Sequence, residues 1–454
     1  MKIDAKLTPA DLAGPAARAL DLAGEKARLL DRQWDPSHGT PVFTAAGKYT
    51  SRGWTEWTQG FQYGLAILAF DGTDQRDLLE LGRTKTLRFM APHVSHTGVH
   101  DHGFNNLSTY GNLRRLMREG RIAANDWELS FYELAIKTSG AVQAARWAGS
   151  NDDGYVYSFN GPHSLFIDTM RSLRILGLSH QLGHVLMGEN DAKISLLGRV
   201  AAHGRKTAAY NVYYGTGRDA YDTPALRGRT AHEAIFNRND GRFRCPNSQQ
   251  GYSPFSTWTR GLAWAILGFA EELEFFRALG STEATPELVK TFEQAATATA
   301  DFYIDRASAA DGIPYWDTGA PNLHRLGDWQ GRDADPFNEH EPVDSSAAAI
   351  AAQGLLRLGK YLGKDGARYL SAGLAVARTL LGEGYLAKSA EHQGLVLHSV
   401  YHRPNGWDYI PPGRKIPCGE SSLWGDYHAA ELAVYLQRLA DGKKPYLTYF
   451  DSGT

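Results

Sequence analysis

Cysteine is nearly absent: Cys245 and Cys418 are the only two in 454 residues. They stand far apart and in no CxxC-type pair, which argues against a structural zinc site, and two reduced thiols are expected. No stretch of about 18 apolar residues occurs, so no transmembrane helix is expected. The opening segment MKIDAKLTPADLAGPAARAL lacks the continuous apolar core of a secretory signal, which points to a cytoplasmic protein. An excess of either charge is missing as well, with 48 Lys+Arg against 50 Asp+Glu. No global field therefore draws nucleic acid or an anionic membrane surface, and an acidic ligand has to be held by local Arg, His and amide groups. No Pro/Ser-rich linker or charge run divides the chain, so residues 1–454 read as one domain.

Aromatic residues, by contrast, are abundant: 11 Trp, 22 Tyr and 18 Phe. Many lie in Gly-rich polar segments instead of apolar runs. Rings at the mouths of polar clefts suit the apolar faces of sugars, whose edges keep their hydrogen bonds. Bulky core residues of a large helical protein would account for the same composition.

Helical periodicity dominates. It predicts helices over Asn125 to Ala148, Ser164 to Leu182, Thr259 to Leu279, Pro286 to Tyr303, Ser345 to Leu362 and Ser421 to Leu439. Asp344 ahead of two serines, and Thr285-Pro286-Glu287, are helix-start signals. Strand candidates are few, Gly394 to Val400 the best and Tyr210 to Tyr214 weaker. The openings Trp57-Thr58-Gln59-Gly60 and Trp258-Thr259-Arg260-Gly261 echo each other, and Trp424-Gly425-Asp426-Tyr427 resembles a third. Repeated helix hairpins entered through polar aromatic loops predict an all-α toroid whose loops converge on one end.

Three segments hold chemistry-bearing residues. The first runs from His93 through His96 and His100-Asp101-His102-Gly103-Phe104-Asn105-Asn106. Its histidine density invites a metal, but it lacks helical pairing and a defined third ligand, so no metal is expected. Asp101 is instead a candidate acid or base, and His100, Asn105 and Asn106 are candidate contacts to a carboxylate or hydroxyls. The second, around His163 and Asp168, leads into a helix. Asp168 reads either as a first-turn carboxylate favoured by the helix dipole or as a desolvated acid of raised pKa. The third holds Gln249, Gln250, Tyr252, Trp258, Arg260 and Trp264, a candidate sugar-binding wall. Its arginine offers a bidentate fork to a carboxylate, or pairs with an aspartate for structure.

Several pieces together resemble the unsaturated glucuronyl hydrolases and the related unsaturated rhamnogalacturonyl hydrolases. They are WTQGF at Trp57, HDHGF at His100, FIDTM at Phe166 and STWTRGLAWAILGF at Ser256. PYWD at Pro314, DSSAAAIAAQGLL at Asp344, GLVLHSVYHRPNG at Gly394 and SLWGDY at Ser422 continue the series through nearly the whole chain. The resemblance implies an (α/α)6-type barrel, six helix hairpins or at most seven, with loops shaping a deep pocket. It implies hydration of the C4=C5 bond of a terminal unsaturated uronic residue, with no cofactor. Asp168 falls on the family's acid/base, Asp101 on its second aspartate, Trp258, Arg260 and Trp264 on pocket residues and Trp57 on an entrance aromatic. Gln249 stands where that family carries a histidine, the stretch Tyr214 to Pro246 is distinctive, and FNGPHS before Asp168 departs from the pattern.

Other chemistries stay open on the sequence. A polyuronate lyase would use Asn105, Asn106 and Arg260 to neutralise the carboxylate, with His163, His100 and Tyr252 as acid and base. A glycosidase for saturated glucuronides would use Asp101 and Asp168. A non-catalytic carbohydrate-binding protein would need neither. In each case the partner is a uronic-acid-containing oligo- or polysaccharide.

Overall fold

The computed structural model describes residues 1–53, 56–443 and 448. Its helices, in chain order, are α1 (Ala13–Gln33), α2 (Gln59–Thr73), α3 (Arg76–Phe89), the single turn α4 (Ala91–Val94) and α5 (His102–Asn106). A π turn (Leu107–Gly111) carries α5 into α6 (Asn112–Arg118), followed by α7 (Asp126–Ala145), α8 (Thr169–Ser172), α9 (Arg174–Gln181) and α10 (Leu196–Tyr210). The remainder are α11 (Thr259–Leu279), α12 (Pro286–Phe302), α13 (Ser345–Leu362), α14 (Ala367–Leu380) and α15 (Leu423–Ala440).

Burial sorts these helices into two rings. Of the 21 residues of α11, 17 are buried, against 8 of 21 in α1. The helices that follow α11's pattern are α2, α5–α6, α8–α9, α13 and α15, and each touches the next until α15 closes on α2. Between them in sequence run α1, α3, α7, α10, α12 and α14, apolar on one face only, as surface helices are. Six outer–inner hairpins result among the described residues, which settles the number at six over seven: an (α/α)6 barrel.

Glycines let the inner ring close. A Cβ on Gly60 would lie 2.2 Å from the Asn105 carbonyl oxygen, and one on Gly103 would lie 2.2 Å from that of Ser172. Only a residue without a side chain allows backbones this close. Deeper on the axis Arg171 pairs with Glu271 at 2.7 Å and Glu431 at 2.8 Å, tying α8 to α11 and α15. Removing one partner of such a buried pair strands a charge, so the three helices are held in one register.

Thr259–Leu279 and Ser345–Leu362 are helices over the expected residues, the second capped by Asp344, whose carboxylate accepts from the Ser346 and Ala347 amides. Three expectations fail in whole or in part. Ser164–Phe166 is a strand, antiparallel to Glu233–Phe236, and the helix starts only at Thr169. Gly394 to Val400 keeps a single bridge, from Val396 to Leu386, and forms no longer ladder, because Asp426 takes the Leu395 and Val396 amides at 2.8 Å each. Tyr210 to Tyr214 keeps only a single bridge, from Val212 to Thr230. No helix among the described residues is long and apolar enough to cross a membrane. Both cysteines are free thiols, Cys245 exposed and Cys418 buried.

Candidate active site

Because the inner helices are parallel, all six begin at the same end of the barrel. Their N-cap or entrance residues include Trp57, Asp101, Asp168, Trp258, Asp344 and Ser422. The three Trp/Gly echoes are three of these openings, into α2, α11 and α15. Converging helix N-termini bias this end toward negative charge. There the loops shape a pocket lined by Trp57, Asp101, Phe104, Phe159, Phe166, Asp168, Gln249, Gln250, Trp258, Arg260, Trp264, Tyr401, His402 and Trp407.

Asp101 and Asp168 both stand at N-cap positions, yet neither side chain caps its helix. Their carbonyls start the helices, accepting from Phe104 N at 2.9 Å and Arg171 N at 3.0 Å. The carboxylates are thereby free to face the pocket, in contrast to that of Asp344. Between them lies His100, wholly buried, its Nε2 3.6 Å from Asp101 Oδ1 and 3.7 Å from Asp168 Oδ1.

The three groups set one another's charge. Burial pushes Asp101 up from the ordinary 3.8 to about 6, against the pull of His100. Burial also pushes Asp168 upward, but a charge-assisted interaction with His100 and the neighbouring His232 outweigh it and leave it below the usual range. The same aspartates lift His100 although burial opposes it. A raised Asp168, the sharper of the two sequence readings, is thus corrected: the carboxyl of raised pKa is Asp101, because the imidazole sides more strongly with its partner.

Eight expected site residues reach the pocket: Trp57, Asp101, Asp168, Gln249, Gln250, Trp258, Arg260 and Trp264. Arg260 lines it, but both of its terminal nitrogens are engaged. It donates to Asp344 Oδ2 at 3.0 Å, Gln250 Oε1 at 2.8 Å and the Tyr401 carbonyl at 2.7 Å, and also to the Val400 carbonyl. The structural reading of this arginine prevails over a free bidentate fork. By taking Oε1 it leaves the Gln250 amide nitrogen to act as a donor.

Five expected residues do not line the cavity. His100 sits behind the aspartates, sealed by Phe159 and Phe166 at ring distances of 4.6 and 5.6 Å. Asn105 is consumed in pinning α5 to α2, accepting from Gly60 N at 2.8 Å and donating to the Glu56 carbonyl at 3.0 Å. Asn106 donates to Ser139 Oγ at 2.8 Å and the His93 carbonyl at 3.1 Å. His163 lies on the turn before the Ser164–Phe166 strand, its carbonyl accepting from Phe236 N. Tyr252 is 52 % exposed, its backbone amide donating to Asp317. Of the other histidines in the first segment, His102 bonds Ser139 Oγ and the His96 carbonyl.

Sequence reasoning missed Phe104, Phe159, Phe166, Tyr401, His402 and Trp407. Their signal was present: aromatic residues in polar, Gly-rich sequence. It also missed His232, which enters from the distinctive 214–246 stretch. Its Nδ1 accepts from Gln249 N at 2.9 Å, and its ring lies 4.4 Å from Phe166 and 4.7 Å from Trp258. A histidine therefore stands directly behind Gln249, where sequence order alone showed none.

No family model matches the chain. Curated relatives do, two of them along most of their length. The unsaturated glucuronyl hydrolase of Bacillus sp. (strain GL1) is 25% identical over 412 residues, 88% of this chain and 91% of the relative. The unsaturated chondroitin disaccharide hydrolase of Streptococcus pyogenes serotype M1 is 25% identical over 427 residues, 91% and 89% of the two chains. The solved structure of the Bacillus sp. GL1 enzyme superposes with a TM-score of 0.70 at 22% identity, covering 96% of this chain and 98% of its own, and so shares the barrel. Along nine-tenths of its length, in its barrel and in the two aspartates facing one pocket, this chain is similar to the unsaturated glucuronyl hydrolases.

Proposed function

We propose that the chain releases a terminal C4=C5-unsaturated uronic residue from an oligosaccharide by adding water across the double bond. The observation that carries this reading is the pair of buried aspartates flanking one histidine at an aromatic-walled pocket. The relatives' names, glucuronyl and chondroitin disaccharide hydrolases, support the same substrate class.

In the free site Asp168 is the ionised carboxylate and the exchangeable proton resides with Asp101 and His100. A uronate brings a negative charge into this buried space, which raises the proton affinity of both carboxylates. The Gln250 amide nitrogen and the surrounding helix N-termini favour that charge, while Trp57, Trp258 and Trp264 cover the apolar ring faces. Asp168 takes up the exchangeable proton as its affinity rises and gives it to C4 as the π electrons form the new C–H bond, and positive charge develops at C5 beside the ring oxygen. Water bonds to C5 and returns a proton to the carboxylate, so the enzyme ends as it began. The resulting C5 hemiketal opens to a ketone, C1 becomes a hemiacetal, and its collapse to an aldehyde expels the neighbouring sugar.

The lyase constellation does not assemble. His163 and Tyr252 lie outside the pocket, and Asn105 and Asn106 are spent on helix contacts. The test is the ultraviolet absorbance of the conjugated uronate. Loss of absorbance from unsaturated uronyl disaccharides is expected, with Asp168→Asn lowering kcat by about 10²–10⁴. A gain of absorbance from an intact polyuronate would instead establish β-elimination.

A further inference from the structure

His100 has no assigned part in hydration, yet its setting is unusual for a structural histidine. Neither ring nitrogen has a hydrogen-bond partner, and Asp101 Oδ2 and Asp168 Oδ1 are likewise buried without one. Leaving four buried polar atoms unpaired is costly. Folds keep such arrangements where the groups exchange protons or await a ligand. One nitrogen, Nε2, is almost equidistant from the two carboxylates, at 3.6 and 3.7 Å. Phe159 and Phe166 close the ring off from solvent.

The charged and titratable groups around it come from five elements. Asp101, at the start of α5, and Asp168, at the start of α8, favour the imidazolium. Arg146 at the end of α7 opposes it, although its guanidinium is turned to the Thr97, Tyr157 and Ser158 carbonyls. His203 of α10 and His232 of the 233–247 hairpin's lead-in face the same cluster and are both held toward the neutral form by burial. Two carboxylates thus compete with one diverted arginine and two neutral rings.

We propose that His100 is a positioning residue that stores, on Nε2, the single proton Asp101 and Asp168 share, and hands it to Asp168 when the uronate enters. This rests on the hydration reading above. The step balances: imidazolium and carboxylate become imidazole and carboxylic acid, C4 takes the proton, and the proton released by water at C5 restores the starting state through the same carboxylate. The bridging site also explains why the aspartates leave their helices uncapped. A carboxylate bound to its own helix N-terminus could not reach a common nitrogen.

Two measurements on the full chain test this. Selective histidine labelling, with the His100 resonance assigned by its loss in His100→Gln, gives its titration by NMR. The imidazole is expected to titrate above 6.5 in the wild type and at least one pH unit lower in the Asp101→Asn/Asp168→Asn double variant. A His100 that stays neutral from pH 5 to 8 overturns the proposal. His100→Gln keeps a buried N–H donor but cannot exchange a proton. It is expected to retain KM within about threefold, lose kcat by about 10²-fold, and displace the alkaline limb of the pH–rate profile. An active wild type with a His100→Gln profile superimposed on it overturns the role of His100 alone. A wild type that leaves the chromophore untouched at every pH overturns the hydration reading and, with it, the proton hand-off.

Discussion

Replacing Asp101 by asparagine is expected to stabilise the protein at neutral pH while disabling it. Asp101 is 2 % exposed, and burial lifts it from 3.8 to about 6. An aspartate whose folded-state pKa is raised binds more protons folded than unfolded between those two values. Stability therefore falls as pH rises through that window, and above pH 6 the folded state carries the full cost of an ionised buried carboxylate. That gap corresponds to roughly 3 kcal/mol at about 1.4 kcal/mol per pH unit. Asparagine has the same shape and never ionises, but it removes one of the two carboxylates that favour a charged His100. Part of the gain is lost there, leaving about 1–3 kcal/mol. Urea unfolding of wild type and Asp101→Asn at pH 8 and pH 4.5 measures it. The variant should be the more stable at pH 8, with most of the difference gone at pH 4.5. An equal difference at both pH values, or a variant that weakens as pH rises, would refute the electrostatic account of this site. Activity should fall in the same variant, the usual exchange between stability and a functional buried charge.

Other outcomes follow from the same geometry. His163→Ala and Tyr252→Phe should leave disaccharide turnover within about twofold, since substitutions away from the pocket rarely matter more; loss of turnover in either would restore a lyase-type assignment. Gly103→Ala would set a methyl 2.2 Å from the Ser172 carbonyl oxygen and 2.7 Å from that residue's Cα, all of it backbone. A stability loss of about 1–3 kcal/mol or more is expected in thermal unfolding, with kcat also reduced because Asp101 and Asp168 stand at the starts of the two helices forced apart. Arg260→Lys removes the fork that joins Asp344, Gln250 and the Tyr401 carbonyl. KM for the unsaturated disaccharide should rise by about tenfold or more, because lysine's single point of charge cannot hold all three; an unchanged KM would show that the pocket wall does not depend on this brace.

The sequence by itself determined the helical architecture and most of the pocket. Thr259–Leu279 and Ser345–Leu362 were legible because their capping residues and apolar spacing are local properties, decided within a few turns. Trp57, Trp258, Trp264 and both aspartates were legible because their segments resemble those of a known family; core packing and helix capping would use the same residue types. What only the tertiary structure decided was which polar groups are already satisfied. Asn105, Asn106 and Arg260 have the chemistry of a carboxylate site, but partners 10 to 141 residues away in sequence occupy their donors. His232 lies 64 residues beyond Asp168 and reaches the site only because the Glu233–Phe236 strand pairs with Ser164–Phe166. The ionisation order of Asp101 and Asp168 was equally beyond the sequence: a pKa is set by burial and by charges within a few ångströms, and those neighbours exist only once six helix N-termini have been brought to one end of the barrel.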